Sequence, residues 1–209
     1  MTKTNKEKEL KKIVDVVRGC RECPLWKNPK AVPGEGNAEA EVLLIGESPG
    51  YYESIQGKPF VGAAGKLLEQ LLTLISLKRS EVFICNMLRH RPPNNRDPLP
   101  EEIKACQKFL DQQIKIIKPK IIVTLGRFSM QKFFPNEFIS RMHGQARFVD
   151  FDDQRIIVIP MYHPAAALRN GIIKKEAEKD FLKIKEFLDN KETQEERKEE
   201  KKEQIELFK

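Results

Sequence analysis

Three side chains that could do chemistry each follow a short apolar run of the sequence. They are the carboxylate of Glu47, the amide of Asn86 and the imidazole of His163. A carboxylate and an imidazole are suited to proton transfer, and an amide both donates and accepts hydrogen bonds. Between the first two lies a glycine-rich segment around Phe60. Its glycine spacing matches neither a dinucleotide fingerprint nor a P-loop, so this pattern alone names no ligand.

The elements that must position these side chains are apolar runs separated by helical patterns. The runs are Val42–Ile45, Val82–Cys85, Ile121–Leu125 and Arg155–Ile159, the last paired as a hairpin with Phe148–Phe151. Strands that alternate with helices predict a three-layer α/β fold with a central four-stranded, mainly parallel sheet flanked by helices. Such a sheet aligns the C-terminal ends of its strands at one edge, where ligands bind. We therefore expect Glu47, Asn86 and His163 to cluster at that edge.

The chain has four cysteines, and two of them form the pair Cys20-Arg-Glu-Cys23. The other two, Cys85 and Cys106, are far apart in sequence. In a reducing compartment a C-x-x-C pair is commoner in metal and redox sites than in disulfides. One pair with two distant cysteines fits a four-thiolate site for Zn²⁺ or an iron–sulfur cluster, and the spacing favours the cluster. Alternatively, Cys85 is a buried strand residue and Cys106 a small apolar helix residue.

The composition describes one domain with an excess of basic residues. The 209-residue chain carries a formal charge of +7. Basic domains often bind nucleic acid, although a face of solvated lysines gives the same charge. No apolar run approaches the roughly 18–20 residues that cross a bilayer, and the polar N-terminus does not resemble a signal peptide. We therefore expect a cytoplasmic protein without a membrane partner.

The charge pattern changes near the C-terminus. Residues 191–209 contain six basic and seven acidic side chains, so the basic excess lies before them. We expect a catalytic domain over residues 1–190 and a charged tail over 191–209 that is a frayed helix or disordered. Within the tail, Gln204-Ile-Glu-Leu207-Phe208 faintly resembles the sliding-clamp-binding peptide of replication and repair proteins. This likeness makes a sliding clamp a candidate partner.

Together these pieces resemble the family 4 uracil-DNA glycosylases, the iron–sulfur branch of that superfamily. The matching segments are GESPGYYE (Gly46–Glu53), GKPFVGAAG (Gly57–Gly65), RPPNNR (Arg91–Arg96) after a strand ending in ICN, and HPAAALRN (His163–Asn170). With the four cysteines they cover roughly Cys20 to Leu188 in the family's order. The resemblance implies a [4Fe–4S] cluster on Cys20, Cys23, Cys85 and Cys106.

The resemblance also implies a role for each site residue on a uracil flipped out of the DNA stack. Phe60 would stack on the base, Asn86 would pair with its O4 and N3–H, and Glu53 would exclude the methyl group of thymine. Glu47 would position or polarise the attacking water near C1′. His163 would hydrogen-bond O2 while negative charge builds on the leaving base.

The DNA itself would be held by residues around these motifs. Leu168 and Arg169 stand where such enzymes insert into the minor groove or hold a phosphate. Arg91 and Arg96 are predicted phosphate contacts. The implied partner is uracil-containing DNA, single- or double-stranded, bound by a monomer associated with the nucleoid.

Three functions are compatible with the sequence. The first is a monofunctional DNA glycosylase that hydrolyses the N-glycosidic bond and leaves an abasic site. The second is an iron–sulfur module that binds nucleic acid without catalysis, which would have no need of both Glu47 and His163. The third is a hydrolase or transferase of free nucleotides on the same scaffold. It predicts little salt dependence, whereas binding to DNA weakens steeply with salt.

Overall fold

A computed structural model describes residues 1–27 and 30–189 of the chain. The strands are β1 (Glu35–Gly36), β2 (Val42–Gly46), β3 (Phe83–Asn86), β4 (Ile121–Leu125), β5 (Arg147–Phe151) and β6 (Gln154–Met161). The α-helices are α1 (Lys3–Arg18), α2 (Tyr51–Gln56), α3 (Ala63–Leu74), α4 (Pro100–Ile117), α5 (Arg127–Gln131), α6 (Ile139–Met142), α7 (Pro164–Ala167) and α8 (Gly171–Asp189). The predicted tail and its clamp-like peptide lie outside the described residues.

The strands form one six-stranded sheet in the order β1-β3-β2-β4-β6-β5. The four inner strands are parallel, which confirms the predicted sheet, and they are the four runs read from the sequence. The two outer strands pair antiparallel with their neighbours. Of these, β5 is the first arm of the predicted hairpin, whereas β1 has only two residues and no apolar pattern that would have revealed it.

Helices cover both faces of the sheet, as its fully buried inner strands require. One face packs against α3 and α8 through residues such as Leu68, Leu72 and Phe181. The opposite face packs against α1 and α4 through residues such as Val17 and Leu110. Because successive side chains of a strand point to opposite faces, each inner strand contributes to both cores. The α/β three-layer architecture is therefore confirmed.

The chain reverses its direction across the sheet between β2 and β4. From β2 it proceeds to β3 on one side, and it then returns to β4 on the other side of β2. Ligands of open α/β sheets bind beyond the carboxyl ends of strands at such a switch point. Glu47 follows β2 directly and Gly126 follows β4 directly, so the sheet places both residues at this point.

Two segments differ from the sequence-based expectation. Tyr51–Gln56, predicted as part of a polar loop, is a short helix whose first turn is capped by Glu53. Arg89, which stands in the sequence with the basic residues just before Arg91, is fully buried. Short polar segments carry little helical periodicity, and a buried arginine has no signature in composition. No helix among the described residues is both long and apolar enough to cross a bilayer.

Candidate active site

A cavity of about 390 Å³ opens at the switch point of the sheet. Glu47, Glu53, Phe60, His163 and Arg169 contribute to its walls. Its size lies within the range of about 300–1,000 Å³ that is typical of small-molecule sites. The sheet thus brings the predicted acid, aromatic ring and imidazole into one cleft.

Glu47 reaches across the switch point to the start of α5. The backbone N–H of Phe128 donates to Glu47 Oε1 at 3.0 Å. Gly126 has a φ of 105°, and a Cβ there would overlap the Glu47 carboxylate, so only glycine fits. Burial raises the pKa of Glu47 above its ordinary value, and the Phe128 N–H and Arg127 partly oppose that shift. The carboxylate is therefore fixed in place and more basic than one in water.

Asn86 lies beside Phe60, whose ring belongs to the wall of the same cleft. A Cβ on Gly46 would overlap Asn86 Oδ1 and the Phe60 ring, so this glycine lets the two side chains meet beside the end of β2. Asn86 is 1% exposed, and within the described chain neither its Oδ1 nor its Nδ2 has a hydrogen-bond partner. Buried amides are almost always paired. An unpaired amide next to a cavity wall indicates a group kept for a ligand.

The backbone of Phe60 is held in an unfavourable conformation from both sides. Its φ is 50°, in the left-handed region that costs a residue other than glycine about 1–3 kcal/mol. The Phe60 N–H donates to Glu53 Oε1, and Arg79 Nη1 donates to the Phe60 carbonyl at 3.2 Å. Arg79 is anchored in turn by Glu35 of β1 at 3.0 Å. These contacts fix the ring against the cavity.

Glu53 lines the cavity but uses both carboxylate oxygens on the backbone. Besides Phe60, the N–H of Gly50 donates to it and closes the capping box of α2. Burial raises its pKa, whereas the two N–H groups and Arg79 oppose the shift. Glu53 therefore ties the loop after β2 to the aromatic ring, in addition to the methyl-excluding role predicted from the resemblance.

His163 is present as a neutral ring with a defined tautomer. Its Nδ1 accepts the N–H of Ala165 at 3.1 Å at the start of α7, so the proton of the neutral ring resides on Nε2. Burial, with help from Arg169, lowers the pKa of His163 to about 4. The ring stacks on Phe60 with centroids 5.7 Å apart. His163 can thus donate one hydrogen bond into the cleft without becoming charged.

The predicted DNA contacts differ in how available they are. Leu168 is 49% exposed at the end of α7, beside Arg169 at the cavity rim. Arg91 Nε donates a hydrogen bond to Asn95 Oδ1 at 2.7 Å, and the Arg91 guanidinium lies over the Tyr51 ring. Arg96 is bidentate to the buried carboxylate of Glu102, at 2.6 and 2.9 Å. A guanidinium engaged in this way is less available to a phosphate than the sequence suggested.

The structure brings three of the four cysteines together and leaves the fourth apart. Cys23 and Cys106 pack in one small cluster with Leu25 and Leu88. Burial raises the pKa of Cys106 to about 11, and the nearby thiols of Cys23 and Cys20 add to that rise. The pKa of Cys85 is likewise raised by burial, and the charge of Arg89 with a hydrogen bond from its guanidinium opposes the rise. Cys85 packs in the core under α1 and α4, not in the small cluster of Cys23 and Cys106.

The separation of Cys85 follows from strand geometry. Successive residues of β3 point to opposite faces, so Cys85 points into the core under α1 and α4, whereas Asn86 points to the face on which Phe60 packs. Cys85 and Cys106 thus pack in different clusters, and a cluster on all four cysteines stays a prediction from the resemblance. No three His, Cys, Asp or Glu side chains within residues 1–27 and 30–189 surround a single metal ion.

Arg79 is the site residue that sequence reasoning missed. It stands in a polar turn before β3, and nothing in that turn signals that it reaches Phe60. Arg79 is three-quarters buried and binds the carbonyl oxygens of both Pro59 and Phe60. It positions the aromatic ring rather than touching a ligand.

We expect Arg79→Met to lower kcat/KM for uracil excision by about tenfold or more, because charge-assisted hydrogen bonds of about 1.5–3 kcal/mol hold Phe60 in its strained conformation. Arg79→Lys should recover part of the loss, and Lys78→Met, an exposed neighbour, should change little. The measurement is single-turnover excision together with binding of DNA that carries an abasic site. Equal losses in both would show a general loss of folding instead of misplacement of the ring.

Fold and site together define a class of enzyme. The sheet is an open α/β sheet, and its switch point carries a basic carboxylate, a neutral imidazole and an unpaired amide around an aromatic ring. A family model for the uracil DNA glycosylase superfamily matches residues 33–188. That range includes every residue placed in the cleft above.

Relatives define the branch of the superfamily. The type-4 uracil-DNA glycosylase of Saccharolobus solfataricus is 50% identical over 186 residues, 86% of each chain. That of Archaeoglobus fulgidus is 46% identical over 185 residues, 86% of this chain and 93% of the relative. That of Thermotoga maritima is 40% identical over 184 residues, which are 86% of this chain and 95% of the relative. The chain belongs to the type-4 uracil-DNA glycosylase family.

Proposed function

We propose that the protein is a monofunctional uracil-DNA glycosylase that hydrolyses the N-glycosidic bond of uracil in DNA and leaves an abasic site. The observation that carries this proposal is the buried amide of Asn86, which has no partner in the described structure and lies against the cleft. Family membership agrees with it, because the relatives above are named for excision of uracil.

The cleft accounts for recognition of uracil through hydrogen bonds and stacking. Asn86 Nδ2 donates to uracil O4 and Oδ1 accepts from N3–H, whereas cytosine presents the reverse pattern. A site built to pair one polar edge rejects the wrong one by on the order of 10⁴-fold. Phe60 supplies an aromatic surface for the flipped base. Glu53, on the adjacent cavity wall, excludes the thymine methyl group.

The hydrolysis step uses Glu47 and His163 on opposite sides of the bond. Glu47 orients a water whose oxygen bonds to C1′, and it takes up the proton that the water releases. The bond from C1′ to N1 breaks, and its electron pair leaves with the base. The Nε2–H of His163 donates to O2, where negative charge accumulates. A neutral donor suits this task, and the pKa of about 4 keeps the ring neutral.

The cavity supports hydrolysis without a lyase step. Among the described residues that line it there is no lysine, and Lys58 of the glycine-rich motif is not part of its wall. An amine that forms a Schiff base with C1′ would be needed for strand cleavage. The product is therefore an intact strand with an abasic site.

We further propose an iron–sulfur cluster as the cofactor, held by Cys20, Cys23, Cys106 and a fourth ligand. When bound, the cluster supplies a structural link and no step of the hydrolysis. Cys20 and Cys23 follow α1, and Cys106 lies in α4. A group bound to all three would fix these helices to one another beside the loop that follows Asn86. The sliding clamp as a partner, the monomeric state and association with the nucleoid stay predictions from the sequence.

The test is incubation of the anaerobically purified chain with an oligonucleotide that contains one uracil, followed by alkali cleavage and by detection of free uracil. We expect excision from DNA, no turnover of deoxyuridine or dUMP, and DNA affinity that falls steeply with salt. Matched oligonucleotides with thymine or cytosine in the same place are the controls. Turnover of the free nucleotides would favour the nucleotide hydrolase, and binding without excision would favour the inactive module.

A further inference from the structure

A second cavity, of about 510 Å³, lies at the first cysteine of the C-x-x-C pair. Cys20 and His90 both line it, and Arg18, Arg21 and Lys30 stand around it. The base-binding cleft described above has none of these residues in its wall. This cavity therefore belongs to a separate site, with a basic surround that suits an anionic group.

The backbone places His90 directly beside the three thiols. The sulfur of Cys106 accepts the backbone N–H of Arg89, the residue before His90. The sulfur of Cys23 accepts the backbone N–H of Leu25 in the same way. His90 is 5% exposed, and its ring faces the cavity that it shares with Cys20. The two cysteines of the C-x-x-C pair, Cys106 and His90 thus come from three segments that meet at one place.

His90 also differs from the other two histidines in what its ring contacts. His143 Nδ1 pairs with Asp180 at 2.8 Å, and His163 Nδ1 accepts a backbone N–H. Among the described residues, neither ring nitrogen of His90 has a hydrogen-bond partner. An imidazole that has no protein partner in the described structure and lines a cavity beside three thiols is placed as a ligand would be.

The charge of Arg89 provides a second, independent argument. Its guanidinium is fully buried and donates to the Pro33 carbonyl at 3.1 Å and to the Gln113 amide oxygen at 2.9 Å. It also donates to the sulfur of Cys85, and its charge also acts on Cys106. No carboxylate pairs with it in the described part of the chain. A buried cation needs a compensating charge. Three thiolates and a neutral imidazole around a dicationic four-iron core leave one net negative charge, which one guanidinium neutralises.

We propose that the iron–sulfur cluster is held by Cys20, Cys23, His90 and Cys106, and that Cys85 is a core residue rather than a ligand. This inference depends on the cofactor proposed above and not on the excision reaction. Imidazole ligands to iron–sulfur clusters are chemically sound, and they raise the reduction potential relative to thiolate. Cys85 stands apart because it is fully buried on β3 and packs against Gly34.

The experiment compares iron content and spectra of the full chain purified without oxygen. We expect wild type and Cys85→Ala to carry about four irons per chain, and His90→Ala to lose part or all of them. His90→Cys should keep its iron, with a more negative reduction potential. In wild type with ¹⁵N-labelled histidine, pulsed electron paramagnetic resonance of the reduced cluster should show a nitrogen coupling that His90→Cys lacks.

Contrary results are easy to recognise. Loss of iron from a folded Cys85→Ala chain while His90→Ala keeps it would overturn the ligand set. If Cys85→Ala does not fold, the wild-type spectrum decides instead. The absence of a histidine nitrogen coupling there would overturn the ligand set. A wild-type chain that excises uracil but binds no iron would overturn the cofactor and this ligand set together, and it would leave the glycosylase proposal standing.

Discussion

Asn86→Leu should lose uracil excision by about 10³- to 10⁴-fold and at the same time unfold at a higher temperature than wild type. Leucine has nearly the shape of asparagine but cannot pair with O4 or N3–H of uracil. The loss of rate follows because the amide is the group that reads the base edge. The rise in stability follows because the amide of Asn86 is buried without a partner in the described structure.

The stability gain has a direct physical origin. A buried polar group without a hydrogen bond costs about 1–3 kcal/mol, and replacing it by an apolar group of the same shape removes that cost. In an enzyme this cost is retained because the ligand supplies the missing partners. The measurements are single-turnover excision, affinity for uracil-containing DNA and thermal unfolding of the same preparations.

Thr124→Val is the matched control. Thr124 is fully buried on β4, and its hydroxyl also has no partner in the described structure. By strand alternation Thr124 points to the face under α1 and α4, whereas Phe60 packs on the opposite face, so its replacement should raise the unfolding temperature without slowing excision. If Asn86→Leu retained activity, or if it were less stable than wild type while Thr124→Val was more stable, the amide would have a structural partner and not a ligand.

The sequence was sufficient for the parts of the site that strand ends determine. Glu47, Asn86 and His163 follow buried runs, and a parallel sheet brings the carboxyl ends of such runs to one edge whatever the loops do. The apolar periodicity of these runs and of the long helices is also why the four-stranded core could be predicted. Phe60 could be placed near them because it stands in a glycine-rich segment between two of the strands.

The parts that the sequence could not supply depend on the direction of single side chains. Cys85 and Asn86 are adjacent, yet strand alternation sends one to each face, so a count of cysteines does not reveal which of them meet. His90 and Arg89 stand in a basic loop whose burial has no compositional signal. Arg79 reaches Phe60 from a turn nineteen residues away, a contact that only the folded chain creates.

The acid side of the pH–rate profile should belong to Glu47. Its carboxylate acts when ionised, and burial raises its pKa, so excision should slow as the pH falls through a value above that of an exposed glutamate. His163 stays neutral until about pH 4 and therefore cannot cause a decline at higher pH. A histidine with an unperturbed pKa near 6.5 would instead change charge close to neutrality.

Glu47→Gln should lower the excision rate by about 10²- to 10⁴-fold and abolish that acid-side decline, because the amide does not titrate. His163→Asn should also be slower, yet it should keep the decline, because Glu47 is still present. The measurement is single-turnover excision between about pH 5 and pH 8 at constant ionic strength, with circular dichroism at each pH to show that the chain remains folded.

A decline that persists in Glu47→Gln but disappears in His163→Asn would reverse the two assignments, since the titrating group would then be the imidazole. A decline present in both variants would place it on the DNA or on a third group, and the pH profile would then not report the ionisation of Glu47.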